Sequence, residues 1–126
     1  MKRGWLGVGI LTVFLLAGIL VSMMMRNAHI PTGELLQQAA DTTLAGDFDR
    51  GVQMGMEAKS RWEDKWNATA IVADHSPMDD IDALFGEMEI YAQTGEKPHF
   101  AACCQELAQR LQAMAEAHKF SWWNVL

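Results

Sequence analysis

The chain has 126 residues and a formal net charge of −6 at pH 7, so it has room for one modest domain. All 16 acidic residues follow Asn27, whereas three of the ten lysines and arginines precede it. The negative part of the chain repels nucleic-acid phosphates and anionic lipid surfaces, which disfavours DNA or RNA as a partner.

An uncharged segment, WLGVGILTVFLLAGILVSMMM, occupies residues 5–25. A membrane-spanning helix needs about 20 apolar residues, which this segment supplies. Lys2 and Arg3 before an apolar run are also typical of a cleaved signal peptide, but the apolar part of a signal peptide has only about 7 to 15 residues. The longer run, with no small-residue cleavage motif after it, favours an uncleaved transmembrane anchor.

The positive charges before the apolar segment indicate its orientation, because lysine and arginine favour the cytoplasmic side. We therefore expect a single-pass protein of the cell membrane with a cytoplasmic N-terminus. The expected organisation is a cytoplasmic tail, an anchor, a linker and an extracytoplasmic helical domain, at residues 1–4, 5–25, 26–31 and 32–126.

Helical spacing continues beyond the anchor, and turn residues punctuate it. A first helix is predicted from Pro31 or Thr32 to Ala45, where Gly46 ends it. Asp47 is predicted to cap a second helix that reaches about Ala73, since a carboxylate accepts the free amide hydrogens of a helix start.

Two further helices are predicted, the third between Ser76-Pro77 and Gly95 and the fourth from about Pro98. The fourth has apolar residues at heptad-like spacing: Phe100, Cys104, Leu107, Leu111, Met114 and His118. In the second helix, Gly51 and Gly55 are predicted to let a neighbouring helix approach closely. The fold class expected is all-α, an antiparallel four-helix bundle behind one transmembrane helix.

The stretch DHSPMDDID, residues 74–82, concentrates a histidine and four aspartates. Ser76 followed by Pro77 is typical of a helix start, and Asp79 and Asp80 would then meet the positive end of the helix dipole. This structural interpretation leaves His75 open as part of a metal, acid/base or recognition site.

The chemistry of a metal site needs three or four converging ligands. The E-x-x-H spacing occurs at Glu96 and His99, where Pro98 interrupts it. No phosphate-binding loop or nucleophile motif is present in the sequence, so we expect no metal, no cofactor and no enzyme activity.

Cys103 and Cys104 are adjacent, and neighbours on a helix point too far apart to be bridged easily. Cys104 lies on the apolar face of the fourth helix and is predicted to be a core residue. Cys103 lies beside that face and is the candidate for a free or intermolecular thiol.

Two stretches, HSPMDDID (residues 75–82) and the ending HKFSWWNVL, resemble a family of small membrane-anchored Gram-positive bacterial proteins catalogued as a domain of unknown function. Its members share an H-S-x-x-D-x-I-D stretch and a terminal N-I-L, from which Trp122, Trp123 and Val125 depart. The resemblance implies an N-terminal anchor and a helical outer domain, and the family has no established activity that it could indicate for this chain. It singles out six positions as functional or structural candidates: His75, Ser76, Asp79, Asp82, His118 and Asn124.

We therefore expect an interaction or scaffold module, an accessory subunit of a membrane complex with a protein partner in the membrane or envelope. The alternative is a metal- or ligand-binding sensor, or a small enzyme that uses His75 and nearby aspartates. Because the fourth helix of such a bundle returns to the membrane, Trp122 and Trp123 are expected to contact its surface. The alternative is that one of the two indoles closes the bottom of the bundle over His118 and Phe120. The sequence does not indicate an oligomeric state.

Overall fold

The computed structural model describes the backbone of residues 2–72 and 75–125, and the side chains of residues 2–24, 26–70 and 76–116. Throughout this part the chain is helical and contains no strand. Four helices pack together: α1 (Lys2–Leu44), α2 (Phe48–Val72), α3 (His75–Thr94) and α4 (Lys97–Val125). The predicted all-α class is confirmed.

The first helix is longer than the sequence predicted. α1 is continuous over 43 residues with Pro31 inside it, so the predicted helix start at Pro31 or Thr32 is wrong and residues 26–31 are helical. A proline in a helix removes the hydrogen bond to the carbonyl four residues earlier, here that of Asn27. The helix nevertheless continues because the residues on either side of Pro31, His29 and Thr32, are buried against the other helices.

The two halves of α1 have different surroundings. Trp5 and Phe14 in the first half are 79% and 63% exposed, and this half is long and apolar enough to cross a membrane. From His29 onward the helix contributes buried residues such as Leu36 and Ala39 to the core. One helix thus carries both an exposed apolar segment and part of the domain.

The two short turns follow the sequence prediction. Gly46 and Gly95 have positive φ angles of 104° and 72°, the left-handed conformation in which helices commonly end. After α1, the amide of Asp47 donates to the Thr42 carbonyl over 3.1 Å. The Asp47 carboxylate then accepts a hydrogen bond from the amide of Arg50 over 3.3 Å, which confirms it as the cap of α2.

Gly51 and Gly55 lie where α2 meets its neighbours. A Cβ atom added at Gly51 would overlap the hydroxyl of Thr43 and lie 3.0 Å from the Ala39 carbonyl oxygen. A Cβ atom at Gly55 would lie 2.9 Å from Cζ of Phe100. The prediction that these glycines permit close helix packing is confirmed.

The core lies between all four helices, and α2 and α3 share the smallest interface of the neighbouring pairs. Its largest fully buried side chains include Leu36, Trp62, Phe85, Met88, Phe100, Leu107 and Leu111. The predicted apolar face of α4 is confirmed for Phe100, Cys104, Leu107 and Leu111. The side chain of His118, also predicted on that face, lies outside the described residues.

Candidate functional site

Polar side chains from three helices meet around Trp62. We call this group the polar cluster: His29 of α1, Trp62, Trp66 and Thr69 of α2, and Asp82 of α3. Because polar groups are costly to bury without partners, such a cluster is the part of a helical core where a specific role is most easily recognised.

Asp82 joins α3 to two tryptophans of α2. Its carboxylate accepts a hydrogen bond from Nε1 of Trp62 over 2.5 Å and another from Nε1 of Trp66 over 2.9 Å. The two indoles are four residues apart and therefore lie on one face of the helix. Trp62 is 1% exposed, so Asp82 supplies the acceptor that its buried N–H group needs.

His29 also packs against Trp62 and is fully buried. Its Nε2 atom is 2.9 Å from the hydroxyl oxygen of Thr69. That hydroxyl donates its proton to the Lys65 carbonyl over 2.8 Å, so His29 Nε2 must be the donor to Thr69. The other ring nitrogen, Nδ1, is then an unprotonated acceptor, and it has no hydrogen-bond partner among the described residues.

Burial makes His29 a neutral residue. Its pKa is lowered from 6.5 to about 4, mainly because desolvation penalises the charged ring and also because the Lys65 ammonium repels a second positive charge. At neutral pH the ring is therefore an uncharged hydrogen-bond donor. This state is the one that the donor role toward Thr69 requires.

Two rings pack against Trp62. The Trp62 ring lies 5.5 Å from that of His29, tilted by 53°, and 6.3 Å from that of Phe85, nearly stacked at 26°. These contacts link α1, α2 and α3 by packing, in addition to the hydrogen bonds of Asp82 and Thr69.

The motif HSPMDDID contributes one residue, Asp82, to the cluster. The described part of α3 begins at His75, which places Ser76 in the first turn; its predicted role as the helix cap stays a prediction. Asp79 and Asp80 lie beyond that turn, which contains no acidic residue. Ser76 and Asp79 are exposed.

Several predicted positions are not part of the described structure. The side chains of His75, His118, Trp122, Trp123 and Asn124 lie outside the described residues, as do Ala73 and Asp74. Their roles stay predictions.

The cysteines are buried thiols. Cys103 is 5% exposed, and its sulfur donates to the Leu84 carbonyl over 3.2 Å. Burial raises the pKa of Cys103 to about 11 and that of Cys104 to about 12. Cys103 is a free thiol, but its burial argues against the predicted intermolecular bond, which needs an accessible thiolate.

Ligand-type side chains do not converge in the described part of the chain, where no three of His, Cys, Asp and Glu form a group that would hold a metal ion. Glu96 directly precedes α4, and His99 lies in its first turn. Both side chains are exposed, and Nδ1 of His99 lies 3.8 Å from Oε2 of Glu96.

Sequence reasoning missed His29, because Pro31 was taken as a helix start and His29 was assigned to a linker. A signal was nevertheless present. The buried positions 29, 32, 36, 39 and 43 repeat at alternating spacings of three and four residues, the pattern of a helix face in a core. This pattern predicts that His29 is buried, provided that the helix continues through Pro31.

The structure thus defines an all-α protein in which one long helix, apolar and exposed in its first half, enters a domain with a tryptophan-centred polar cluster. A family model described as "Domain of unknown function (DUF4363)" matches residues 27–125, and the chain belongs to this family. The match begins just after the apolar segment and confirms the resemblance to a domain of unknown function. No curated protein and no solved structure matches the chain.

Proposed function

We propose that the protein is a single-pass membrane protein whose helical domain lies outside the cytoplasm and serves as an interaction or scaffold module, an accessory subunit of a membrane complex. The supporting observation is the continuity of α1 from the exposed apolar segment into the core. A continuous helix fixes the direction in which the domain leaves the membrane. A domain attached in this way can present one surface to a partner at a fixed distance from the membrane.

Contacts between helices support an antiparallel arrangement within this proposal. Gly33 of α1 lies against Ala108 of α4, whereas Phe48, just after α1, packs against Phe100 near the start of α4 with ring centroids 5.5 Å apart. Residue numbers therefore rise along one helix as they fall along the other. The up-and-down order would return α4 toward the level at which α1 enters the domain.

The polar cluster supports a structural role better than catalysis. Both carboxylate oxygens of Asp82 accept indole hydrogens, and His29 is fully buried and donates to Thr69. A general base must reach the substrate proton that it removes. Both oxygens of Asp82 are occupied by the indoles, and burial keeps a substrate from reaching the unpaired Nδ1 atom of His29. The cluster therefore supports a structural role, in which it aligns α1, α2 and α3 beneath a recognition surface.

Site-specific photocrosslinking in native membranes tests the interaction role. A photoreactive residue placed in turn at exposed Gln38, Gln53, Ile90 and Gln109 samples α1, α2, α3 and α4. An interaction module should give an adduct of one defined size from one or two adjoining helices and none from the others. Adducts at no position would contradict the proposal.

Metal analysis of the same full-length protein distinguishes the sensor or enzyme alternative. Stoichiometric zinc, iron or manganese that disappears in a His75→Ala variant would favour that alternative. Protein that is purified without metal and still crosslinks to its partner would favour the scaffold.

A further inference from the structure

A cavity of about 290 Å³ opens between α1 and the end of α2, at the border between the apolar segment and the domain. Val21 and Met24 line it from the apolar segment, and Asn27 lines it from the first turn beyond. Lys65 and Ala68 complete it from α2. The lining thus changes from apolar to polar along the direction of α1.

Lys65 is the charged residue of this lining. Two other cations of α2 are paired, Lys59 with Glu89 at 2.7 Å and Arg61 with Glu57 at 2.9 Å, whereas Arg50 at the far end of the helix forms no ion pair among the described residues and does not line the cavity. Within the described part of the chain Lys65 forms no ion pair, and neither does Arg26, the residue before Asn27. A site with a cation and no carboxylate partner is complementary to an anion.

The position of the Lys65 charge agrees with this geometry. Its ammonium is close enough to His29 to lower the pKa of the buried ring, and Thr69, the hydrogen-bond partner of His29, also lines the cavity. The charge is therefore on the α1 side of α2, toward the cavity.

We propose that this cavity binds one phospholipid with an anionic headgroup, its phosphate held by Lys65 and its upper acyl chain packed on Val21 and Met24. The inference rests on the proposed membrane anchor, which would bring headgroups to this level of α1. The domain as a whole is acidic and repels anionic surfaces. Selectivity for an anionic lipid would therefore have to come from this site and not from diffuse attraction.

The occupied cavity would have a mechanical consequence. Pro31 weakens α1 directly above the cavity by removing the donor to the Asn27 carbonyl. A lipid bridging α1 to α2 through Lys65 would hold the two helices together at this point. Binding should therefore stabilise the folded domain, since a ligand of the folded state alone shifts unfolding.

The test is thermal unfolding of the full-length protein in a neutral detergent, with added phosphatidylglycerol or with phosphatidylcholine of the same acyl chains. We expect phosphatidylglycerol to raise the melting temperature in a saturable way and phosphatidylcholine to have a smaller effect. In Lys65→Gln the concentration for half-maximal effect should rise about fivefold, the usual loss for one cation near anionic lipid.

Two matched pairs separate the cavity from general charge and hydrophobicity. Ala68→Leu adds a larger side chain to the cavity lining and should weaken the effect, whereas Ala102→Leu adds the same side chain at a position of α4 that is also exposed but does not line the cavity, and should not. Arg61→Gln removes a paired charge one turn before Lys65 and should also behave as the parent. Equal responses to the two lipids, an unchanged response in Lys65→Gln and Ala68→Leu, or an equal loss in Arg61→Gln would overturn the proposal.

Flotation with liposomes of either lipid, run on the same proteins, keeps this inference distinct from the anchor. If every variant floats and only the Lys65 and Ala68 variants lose the thermal response, both proposals are supported. If the parent protein fails to float, the anchor is wrong, and the lipid site falls with it. If all variants float and respond equally, the lipid site alone is wrong.

Discussion

Trp62 and Asp82 form a hydrogen bond of 2.5 Å between the indole N–H group and the carboxylate, across the interface of α2 and α3. These two helices share a small interface, so each polar contact across it contributes to their register. Trp66 donates to the same carboxylate over 2.9 Å, and Lys59 and Glu89 form an ion pair at 2.7 Å. Of these donors, only Trp62 is fully buried.

Replacing Asp82 by alanine should lower the free energy of unfolding by about 1 to 2 kcal/mol: the buried Trp62 N–H group loses a charged acceptor, but Asp82 is itself exposed and water replaces part of the interaction. Asp82→Asn keeps one acceptor oxygen and should cost less. Asp79 is likewise exposed on α3, whereas the indoles donate to Asp82; Asp79 therefore provides the control, and its alanine variant should stay within about 0.5 kcal/mol. Denaturant titration in a mild detergent measures all three. Equal effects at the two positions would argue against the role given to Asp82.

Acid should destabilise the protein through His29. The unfolded histidine takes up a proton near pH 6.5, whereas burial lowers the pKa of the folded one to about 4. Between these values the unfolded state binds more protons, so the free energy of unfolding falls with decreasing pH by about 1.4 kcal/mol per unit. Above pH 6.5 this contribution is fully present.

The measurement is the difference in unfolding free energy between the parent and His29→Gln across that pH range. It should shrink on acidification, because the variant lacks the titrating ring. His99→Gln, at an exposed histidine, is the matched control for loss of a histidine. A parent-to-variant difference that is constant with pH would contradict the buried, neutral His29.

Local chemistry allowed part of this structure to be predicted. Gly46 and Gly95 end helices because glycine tolerates positive φ, and Asp47 caps α2 because its carboxylate reaches the free amides, so both depend on near neighbours in sequence. The face of α4 that includes Leu107 and Leu111 followed from spacing alone. Such features need no knowledge of the other helices.

The polar cluster could not be predicted in the same way, because its partners are far apart in sequence. Asp82 has a satisfactory local role near a helix start, and only the packing of α3 on α2 reveals the two indoles as its donors. Pro31 argues locally for a helix boundary, with a cost of about 3 kcal/mol inside a helix. The helix nevertheless continues through Pro31, with His29 and Thr32 on either side of it buried against other helices, and such packing is a property of the whole fold.

Two glycine variants should change stability in opposite directions. Gly51→Ala places a Cβ atom against Thr43 and the Ala39 carbonyl and should destabilise by about 1 to 3 kcal/mol, as overpacking does. Gly86 is also inside a helix, but a Cβ atom there would meet nothing within 4 Å. Gly86→Ala should therefore stabilise by up to about 1 kcal/mol through helix propensity. Melting temperatures that shift in the same direction would show that propensity, not packing, dominates at Gly51.

The thiols of Cys103 and Cys104 should be protected in the folded protein. Both are buried and have raised pKa values of about 11 and 12, so little reactive thiolate exists at pH 8. An alkylating reagent should label neither residue in the folded protein and both after denaturation, as counted by mass. Rapid labelling of Cys103 without denaturant, or a disulfide-linked dimer that a reducing agent separates into monomers, would instead support the intermolecular thiol that the sequence predicted.

The continuity of α1 can be measured directly, and the proposed coupling of anchor and domain depends on it. Leu20 and Leu44 are exposed and flank Pro31, so each can carry a spin label. Both cysteines are first replaced by alanine so that the labels attach only at these two positions. At a rise of about 1.5 Å per residue, a continuous helix places the two Cα atoms about 36 Å apart. We expect one narrow distance distribution near that value in liposomes, shortened slightly by the bend that proline causes.

Replacing Pro31 by alanine should narrow this distance distribution further, because the missing hydrogen bond is restored. A broad distribution at shorter distances would mean that residues 26–31 are a flexible linker, and a domain tethered in that way could not hold its surface at a fixed height above the membrane.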